Sequence, residues 1–203
     1  MTSGLLYNMT PILKNISKHI CLNKTEEGYF ISLLKEKTLK KKEFFLRENE
    51  ACLHSVFVLK GCLRGYTVDQ NGFEHILQFA PPDWWIADMY SLITQKPGNL
   101  NIDAIENTEV LLLAKKDQEK LFTEIPKFER FFRIITENSL VSSRQRLIDT
   151  MSMTAQERYA TFCRHYPSLI GQLPQKLIAA YIGVTPEFLS KVRADYAKQR
   201  RNE

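Results

Sequence analysis

The chain has 203 residues, 44% of them hydrophobic and 25% charged, which is close to the average of soluble globular proteins and argues against a disordered or repetitive chain. Glycine is scarce at 8 residues, and neither G-x-G-x-x-G nor G-x-x-x-x-G-K-S/T occurs, so a fold that depends on a glycine-rich phosphate loop is disfavoured. Lysine and arginine (28) exceed aspartate and glutamate (23), giving a net charge of +5, and the length suffices for one large domain or two small ones.

The first part of the chain has the residue spacing of helices. Apolar residues recur three and four positions apart from Leu5 to Ile20, which is the period of one helical face. The sequence Thr-Glu-Glu at 25–27 is typical of a helix start. We therefore predict two helices that together extend to about Leu34.

Between Lys37 and Ala114 the pattern changes to short strands rich in β-branched and aromatic residues. The sequence from Asp69 to Gly72 is typical of a hairpin turn. We predict strands at 56–59, 63–68, 74–79, 102–105 and 110–114, with the adjacent Trp84 and Trp85 on a further short strand. Five or more strands at this spacing predict a β-sandwich or a jelly roll.

Helical spacing returns after Lys115. We predict a short helix at 117–124 and a long one from Pro126 to about Met151, and the capping-box sequence at 154–157 predicts the start of another. The long helix carries more apolar residues than one small sheet needs, so one side is expected to pack on the β domain and the other on a second copy. A core helix of a monomer is the alternative.

These elements predict an α+β fold in three parts. Residues 1–125 form a β-roll or jelly roll with N-terminal helices, residues 126–152 form a long dimerisation helix, and residues 153–203 form a helical domain. Residues 151–203 hold eight basic and four acidic side chains, a balance of +4. Such a compact basic segment is typical of a surface that binds phosphates.

The segment from Gln175 to Arg193 predicts a helix-turn-helix. Ala179 is small where two helices approach, and Gly183 tolerates the positive φ of a tight turn. Thr185 can cap the second helix, and Pro186 suits its first position. Five apolar residues fall where the pair must bury its core: Ile178, Ile182, Val184, Leu189 and Val192.

Burial of that apolar face leaves one side of the second helix outward. Glu187 can accept a hydrogen bond from a cytosine amino group, and Lys191 can reach guanine acceptors or a phosphate. Alternatively, Glu187 only stabilises the helix N-terminus electrostatically. The other predicted DNA contacts, which include backbone phosphates, are Gln175, Lys176, Thr185, Pro186, Ser190, Arg193, Arg200 and Arg201.

The order of these parts, together with the sequence Gly183 to Lys191, resembles the Crp/Fnr family of bacterial transcription regulators, in particular its short Bacteroidetes-type members. The family motif G-C/V-S/T-R-E-x-x-x-R is matched at Glu187, whereas Pro186 and Lys191 replace its arginines. The resemblance implies a cyclic-nucleotide-binding-like first domain, a homodimer and double-stranded DNA as partner. It also implies contact with RNA polymerase. Because only ten residues follow Arg193, we expect the usual β-hairpin wing to be reduced or absent.

The effector region departs further from the family. Cyclic-nucleotide binders carry a G-E-L…R-S/T-A cassette, and here Asp88 is the only matching acid, while no arginine lies between Arg64 and Arg130. A buried cyclic phosphate would then lack its bidentate partner, so we expect no cyclic nucleotide, no other cofactor, and an unknown small-molecule effector. The candidate effector pocket consists of Trp84, Trp85, Ala87 and Asp88.

Other chemistry is not indicated. No G-x-S-x-G or H-E-x-x-H motif occurs, the four cysteines are too far apart for an iron–sulfur cluster, and we expect neither an enzyme nor a metal site. No secretory leader or apolar stretch of about 20 residues occurs, which predicts a cytoplasmic protein without membrane contact. The leading hypothesis is a dimeric DNA-binding regulator. Its rival is a β-roll module for ligand sensing or protein interaction whose helical C-terminus does not bind DNA.

Overall fold

The computed structural model describes residues 2–202, and side chains from Thr10 to Tyr196. The chain forms two compact units. One consists of Met1–Thr67 with Gln78–Glu137, and the other of Val68–Leu77 with Asn138–Glu203. The units divide inside the long helix, and the sequence-based domain boundaries at 125 and 152 stay predictions.

Helices lie at both ends of the chain and strands between them. The helices are α1 (Thr2–Ser17), α2 (Lys24–Ser32), α3 (Met89–Thr94), α4 (Lys115–Glu124), α5 (Lys127–Ser152), α6 (Ala155–His165), α7 (Gln175–Ile182) and α8 (Pro186–Asn202). The strands are β1 (Leu34–Leu39), β2 (Phe44–Leu46), β3 (His54–Lys60), β4 (Leu63–Val68), β5 (Glu74–Ala80), β6 (Trp85–Ile86), β7 (Asn101–Ala104) and β8 (Thr108–Ala114). None of the described helices is long and apolar enough to cross a membrane.

The strands form two four-stranded sheets, with orders β1-β8-β3-β6 and β2-β7-β4-β5. Their inward side chains form one core, because residues two apart on a strand share a face. Val56 and Val58 of β3 and Val110 and Leu112 of β8 belong to it, as does Ile102 of β7 in the other sheet. The predicted α+β fold with a jelly-roll-like first domain is therefore confirmed.

A second core lies between the first sheet and the helices of the same unit. Ile12 and Ile16 of α1, Phe30 of α2, and Phe128 and Phe131 of α5 are all within 1% of complete burial. The rings of Phe30 and Phe128 stack with their centroids 4.8 Å apart. The first part of α5 thus packs against the sheet, as its apolar residues predicted.

Helices α6 to α8 form the core of the helical part. Thr154 caps α6, and Glu157 completes the predicted capping box by accepting from the Thr154 N–H at 2.8 Å. Tyr159 and Phe162 of α6 are buried with Ile178 of α7 and Leu189 of α8. Helix α8 continues to Asn202, and the expectation of a reduced or absent wing stays a prediction.

Candidate DNA-binding interface and effector region

The turn between α7 and α8 has the geometry of a helix-turn-helix. Gly183 ends α7 with φ = 75°, in the left-handed region, where a residue with a Cβ is strained. Its N–H and that of Val184 both donate to the Ala179 carbonyl, at 2.9 and 3.0 Å. These bonds satisfy the helix end and redirect the chain within two residues.

Thr185 caps α8. Its Oγ1 accepts a hydrogen bond from the Phe188 N–H at 3.2 Å, which satisfies one of the orphan donors in the first turn. Pro186 occupies the first helical position, where its missing N–H costs nothing. The start of α8 is therefore set by local sequence, as predicted.

Burial divides the helix pair into an apolar face and a polar face. Ile178, Ala179, Ile182, Leu189 and Val192 are between 0% and 6% exposed. The side chains left outward in the first two turns of α8 include Pro186, Glu187, Ser190 and Lys191. The predicted burial is therefore observed for Ile178, Ile182, Leu189 and Val192, whereas Val184, which was also predicted to be buried, is only half-buried.

The N-terminus of α7 lies beside the first turns of α8. The Ser190 hydroxyl is 3.1 Å from the Gln175 Oε1, to which it can donate, and an equal distance from the Pro186 carbonyl. Lys176 follows Gln175 and is exposed. Two predicted contact residues from separate helices are therefore brought together.

Glu187 lies in the first turn of α8. Hydrogen bonds from its own backbone N–H and from the Thr185 side chain lower the pKa of its carboxyl group, which is fully exposed. The carboxylate is therefore ionised and acts only as an acceptor. This position also matches the alternative in which Glu187 stabilises the N-terminus of α8.

Arg193, another predicted basic contact, is less exposed than Lys176 and Lys191. It is half-buried and lies near Tyr159 of α6. Burial raises the pKa of the Tyr159 hydroxyl, and the charge of Arg193 opposes this rise. The side chains of Arg200 and Arg201 lie outside the described residues.

Arg146 of α5 joins three segments of the helical unit. Its Nη2 donates to the carbonyls of Ile76, at 2.6 Å, and Tyr181, at 2.7 Å, and its Nη1 donates to the Leu77 carbonyl. Its guanidinium carbon lies 3.9 Å from the centroid of the Tyr181 ring. One side chain therefore links the end of the β4–β5 hairpin to the last turn of α7.

The candidate effector region is closed around Asp88. This residue is 6% exposed and caps α3 by accepting from the Ser91 N–H at 3.0 Å. A Cβ at Gly98 would lie 2.1 Å from the Asp88 Oδ2, so no other residue fits there unless Asp88 moves. Ser91 is fully buried, and its hydroxyl accepts from the Cys52 N–H at 2.7 Å.

The two tryptophans pack in different cores. Trp84 packs against the core between the sheets, as does Ala87, whereas Trp85 packs among the aromatic rings of the second core. The Trp85 ring lies 5.3 Å from Phe57 and 5.6 Å from Phe132, between centroids. One ring therefore packs in the core of the roll and the other against the long helix, and an effector role for either stays a prediction.

Arg64, the arginine nearest to this region in sequence, is committed to an ion pair within the roll. It binds Asp103 on the neighbouring strand with two hydrogen bonds, Nε to Oδ1 at 2.7 Å and Nη2 to Oδ2 at 2.9 Å. Their side chains are only 12% and 6% exposed. Removing either partner would leave a buried charge, which is strongly unfavourable.

Cys52 and Cys62 have the environment of structural residues, because both are buried. Burial raises the pKa of the Cys62 thiol to about 12 and also raises that of Cys52, which makes both thiols unreactive. Within the described part of the chain, no three His, Cys, Asp or Glu side chains are placed to hold a metal ion.

Phe188 is a feature that the sequence analysis did not assign. Its side chain is 49% exposed on the first turn of α8. Its position three residues before Lys191 and four before Val192 places it at the edge of the outward face, so the helical period contained the signal. Arg146 had no such signal, because its partners lie 35 to 70 residues away in the chain.

Comparison with known proteins agrees with this architecture. The profile of the cyclic nucleotide-binding domain family matches residues 36–124. FixK2 from Bradyrhizobium japonicum superposes with a TM-score of 0.73 and 23% identity, over 82% of this chain and 85% of that one. No curated protein is similar enough in sequence to be matched to this chain.

Two further solved structures share the fold. A protein assigned to the Crp/Fnr family of transcriptional regulators from Eubacterium rectale has a TM-score of 0.68 and 16% identity, over 88% of this chain and 85% of that one. The c-di-GMP-responsive global regulator CLP of Xanthomonas campestris has a TM-score of 0.69 and 10% identity, over 87% and 93%. The chain therefore has the fold of Crp/Fnr regulators, which confirms the predicted resemblance; the Bacteroidetes-type detail stays a prediction.

Proposed function

We propose that this chain, which has the fold of Crp/Fnr regulators, is a dimeric, sequence-specific DNA-binding regulator of transcription that acts in the cytoplasm and is not an enzyme. Its partners are double-stranded DNA, a second copy of the chain and, as the resemblance implies, RNA polymerase. Charge favours this assignment, because +4 of the net charge of +5 lies in residues 151–203.

The observation that carries the proposal is the start of α8. A left-handed Gly183 and a Thr185 cap hold the first turn of the helix with Glu187 and Lys191 exposed on one side, while Leu189 is fully buried. Recognition helices enter the major groove by their N-terminal residues. The arrangement supports base contacts by Glu187 and Lys191, four residues apart on one helix face.

The second half of α5 supports a dimer. From Leu140 to Met151 this helix carries an exposed apolar stripe, which consists of Leu140, Val141, Leu147, Ile148 and Met151, each more than half exposed. Their spacing keeps them on one side of a helix, as in the seam of a coiled coil. A second copy of the same helix supplies the matching apolar surface, and a dimer brings two recognition helices to one DNA site.

A cyclic nucleotide does not fit the effector region. The cassette acid Asp88 is buried against Gly98 and bonded to the Ser91 N–H, and Arg64 is paired with Asp103. The residues present supply neither an open carboxylate for the ribose nor a bidentate partner for the cyclic phosphate. We therefore propose that DNA binding is controlled by another small molecule.

Binding-site selection from random duplex DNA with the purified chain tests the function. We expect one enriched inverted repeat whose half-sites are about one helical turn, or 34 Å, apart. Recovery of sequences that do not differ from the input library would contradict DNA reading and favour a sensing or interaction module.

A further inference from the structure

Phe188 is an exposed aromatic ring on a surface that is otherwise polar. Its side chain is 49% exposed, and no other large apolar side chain is exposed in the described part of α8. Its neighbours on the outward side are the exposed Glu187 and Lys191. The ring therefore offers an apolar surface beside two charged side chains, at the edge of the outward face.

The position of the ring is set by the helix start. The Phe188 N–H is bonded to the Thr185 Oγ1 at 3.2 Å, which fixes this residue as the third of the helix. Helical side chains lean toward the N-terminus, so the ring points to the end of α8 that enters the groove. Phe188 therefore reaches the same DNA surface as Glu187, at its edge.

The partner must offer an apolar group next to charges and hydrogen-bonding edges. The protein-facing side of the major groove has one such group, the C5-methyl of thymine, which phenylalanine contacts favourably. An apolar protein surface fits less well, because it would bury the charges of Glu187 and Lys191 without partners. The exposed Lys176 instead matches the phosphates that flank a base.

We propose that Phe188 is a specificity-determining residue that packs on the methyl group of one thymine in each half-site, beside the base pair contacted by Glu187. This inference rests on the proposed function. It adds an apolar contact to the polar contacts of the recognition helix, and it predicts a thymine at a fixed position in the operator.

Replacing single thymines by deoxyuridine tests the contact, because the exchange removes only the methyl group. With the full chain and its selected duplex, we expect one thymine per half-site whose replacement weakens binding about fourfold, the effect of one buried methyl-sized group. The Phe188→Ala variant should bind both duplexes with equal affinity. Phe188→Gln, which keeps the length of the side chain, should also lose the difference.

Phe73→Ala is the matched control, since Phe73 is also exposed, at 66%, but lies on the β4–β5 hairpin; this variant should keep the difference between thymine and deoxyuridine. The inference is overturned, with the proposed function intact, if no thymine in the wild-type site is sensitive or if Phe188→Ala keeps the sensitivity. It is also overturned if Phe188→Ala changes the oligomeric state instead. Failure of the wild-type chain to select any sequence would overturn the proposed function itself.

Discussion

Two roles are proposed for Glu187, stabilisation of the start of α8 and contact with a base, and both use the oxygen atoms of its carboxylate. Its carboxylate accepts from its own N–H and from Thr185 in the free chain, and a cytosine amino group would need one of these acceptor positions. A carboxylate has about four acceptor positions, so both roles can be filled together.

Replacing Glu187 by Ala should relax the preference at one base pair in each half-site. We expect a loss of about 1 to 3 kcal/mol on the best sequence and little loss on random DNA, measured by titration and by selection with wild type and variant side by side. Asp195→Ala is the control, because it removes the same charge from an exposed position of α8 two turns later. An unchanged selected motif in Glu187→Ala would show that this side of α8 does not read DNA.

Residues with local partners could be predicted, and residues with distant partners could not. Gly183, Thr185 and Pro186 follow from rules for helix ends and were assigned correctly. The closing of Asp88 against Gly98 depends on a loop that returns ten residues later, and the partners of Arg146 are farther still. No periodicity in the sequence records such contacts.

Arg146→Ala should destabilise the helical unit. The variant loses charge-assisted hydrogen bonds to the Ile76 and Tyr181 carbonyls and the stacking on the Tyr181 ring. We therefore expect its free energy of unfolding to fall by about 1.5 to 3 kcal/mol. Chemical denaturation followed by circular dichroism measures this change. The exposed Arg144 provides the control, and equal stability of the Arg144→Ala and Arg146→Ala variants would refute the linking role.

At the scale of elements, strands with one buried face were easier to predict than short or exposed ones. The five predicted strands and the Trp84–Trp85 segment correspond to β3 to β8. Strand β1 begins at Leu34, where the sequence predicted the end of a helix. It lies at a sheet edge, and four of its six residues are exposed. Its sequence therefore lacks the alternation of apolar and polar residues that marks a strand with one buried face. Helix α3 begins at the Asp88 cap and has only six residues. This length is too short to show a helical period in the sequence.

At the scale of elements, the apolar stripe of α5 is the proposed dimer interface. Ile148→Asp should place a charge in the seam and convert the dimer to a monomer at micromolar concentration, because an unpaired charge is costly in an apolar interface. Light scattering measures the mass. Ser142→Asp introduces the same charge on the opposite side of the helix, where the side chain is exposed, and should stay dimeric.

If both variants keep the mass of the wild type, or if the wild type is itself a monomer at tens of micromolar with and without DNA, the stripe is not the dimer interface.

At the scale of the whole molecule, we propose that the chain has the fold of cyclic-nucleotide-binding regulators without their cyclic-nucleotide chemistry. The profile of the cyclic nucleotide-binding domain family matches residues 36–124, yet the cassette acid is closed off and its arginine is missing. Fold alone does not determine the ligand, since ligands are bound by particular side chains. The identity of the effector could not be predicted from the sequence, because the shape of the region around Asp88 depends on side-chain packing.

Cyclic AMP at millimolar concentration should leave the melting temperature and the DNA affinity unchanged. A ligand that binds only the folded chain at 100 times its dissociation constant contributes about 2.7 kcal/mol, which corresponds to roughly 5 to 10 °C for a chain of this length. Differential scanning fluorimetry resolves such a shift easily. A rise of several degrees that increases with cyclic AMP concentration would contradict the closed region around Asp88.

The most direct test of the central claim is the ratio of two dissociation constants. The selected inverted repeat and the same duplex with both half-sites scrambled are titrated with the purified chain at one physiological salt concentration. Specific regulators prefer their site by a factor of about 10³ or more, and we predict a ratio in this range. Equal dissociation constants would mean that the chain binds DNA only through its positive charge, and would contradict the assignment of α8 as a recognition helix.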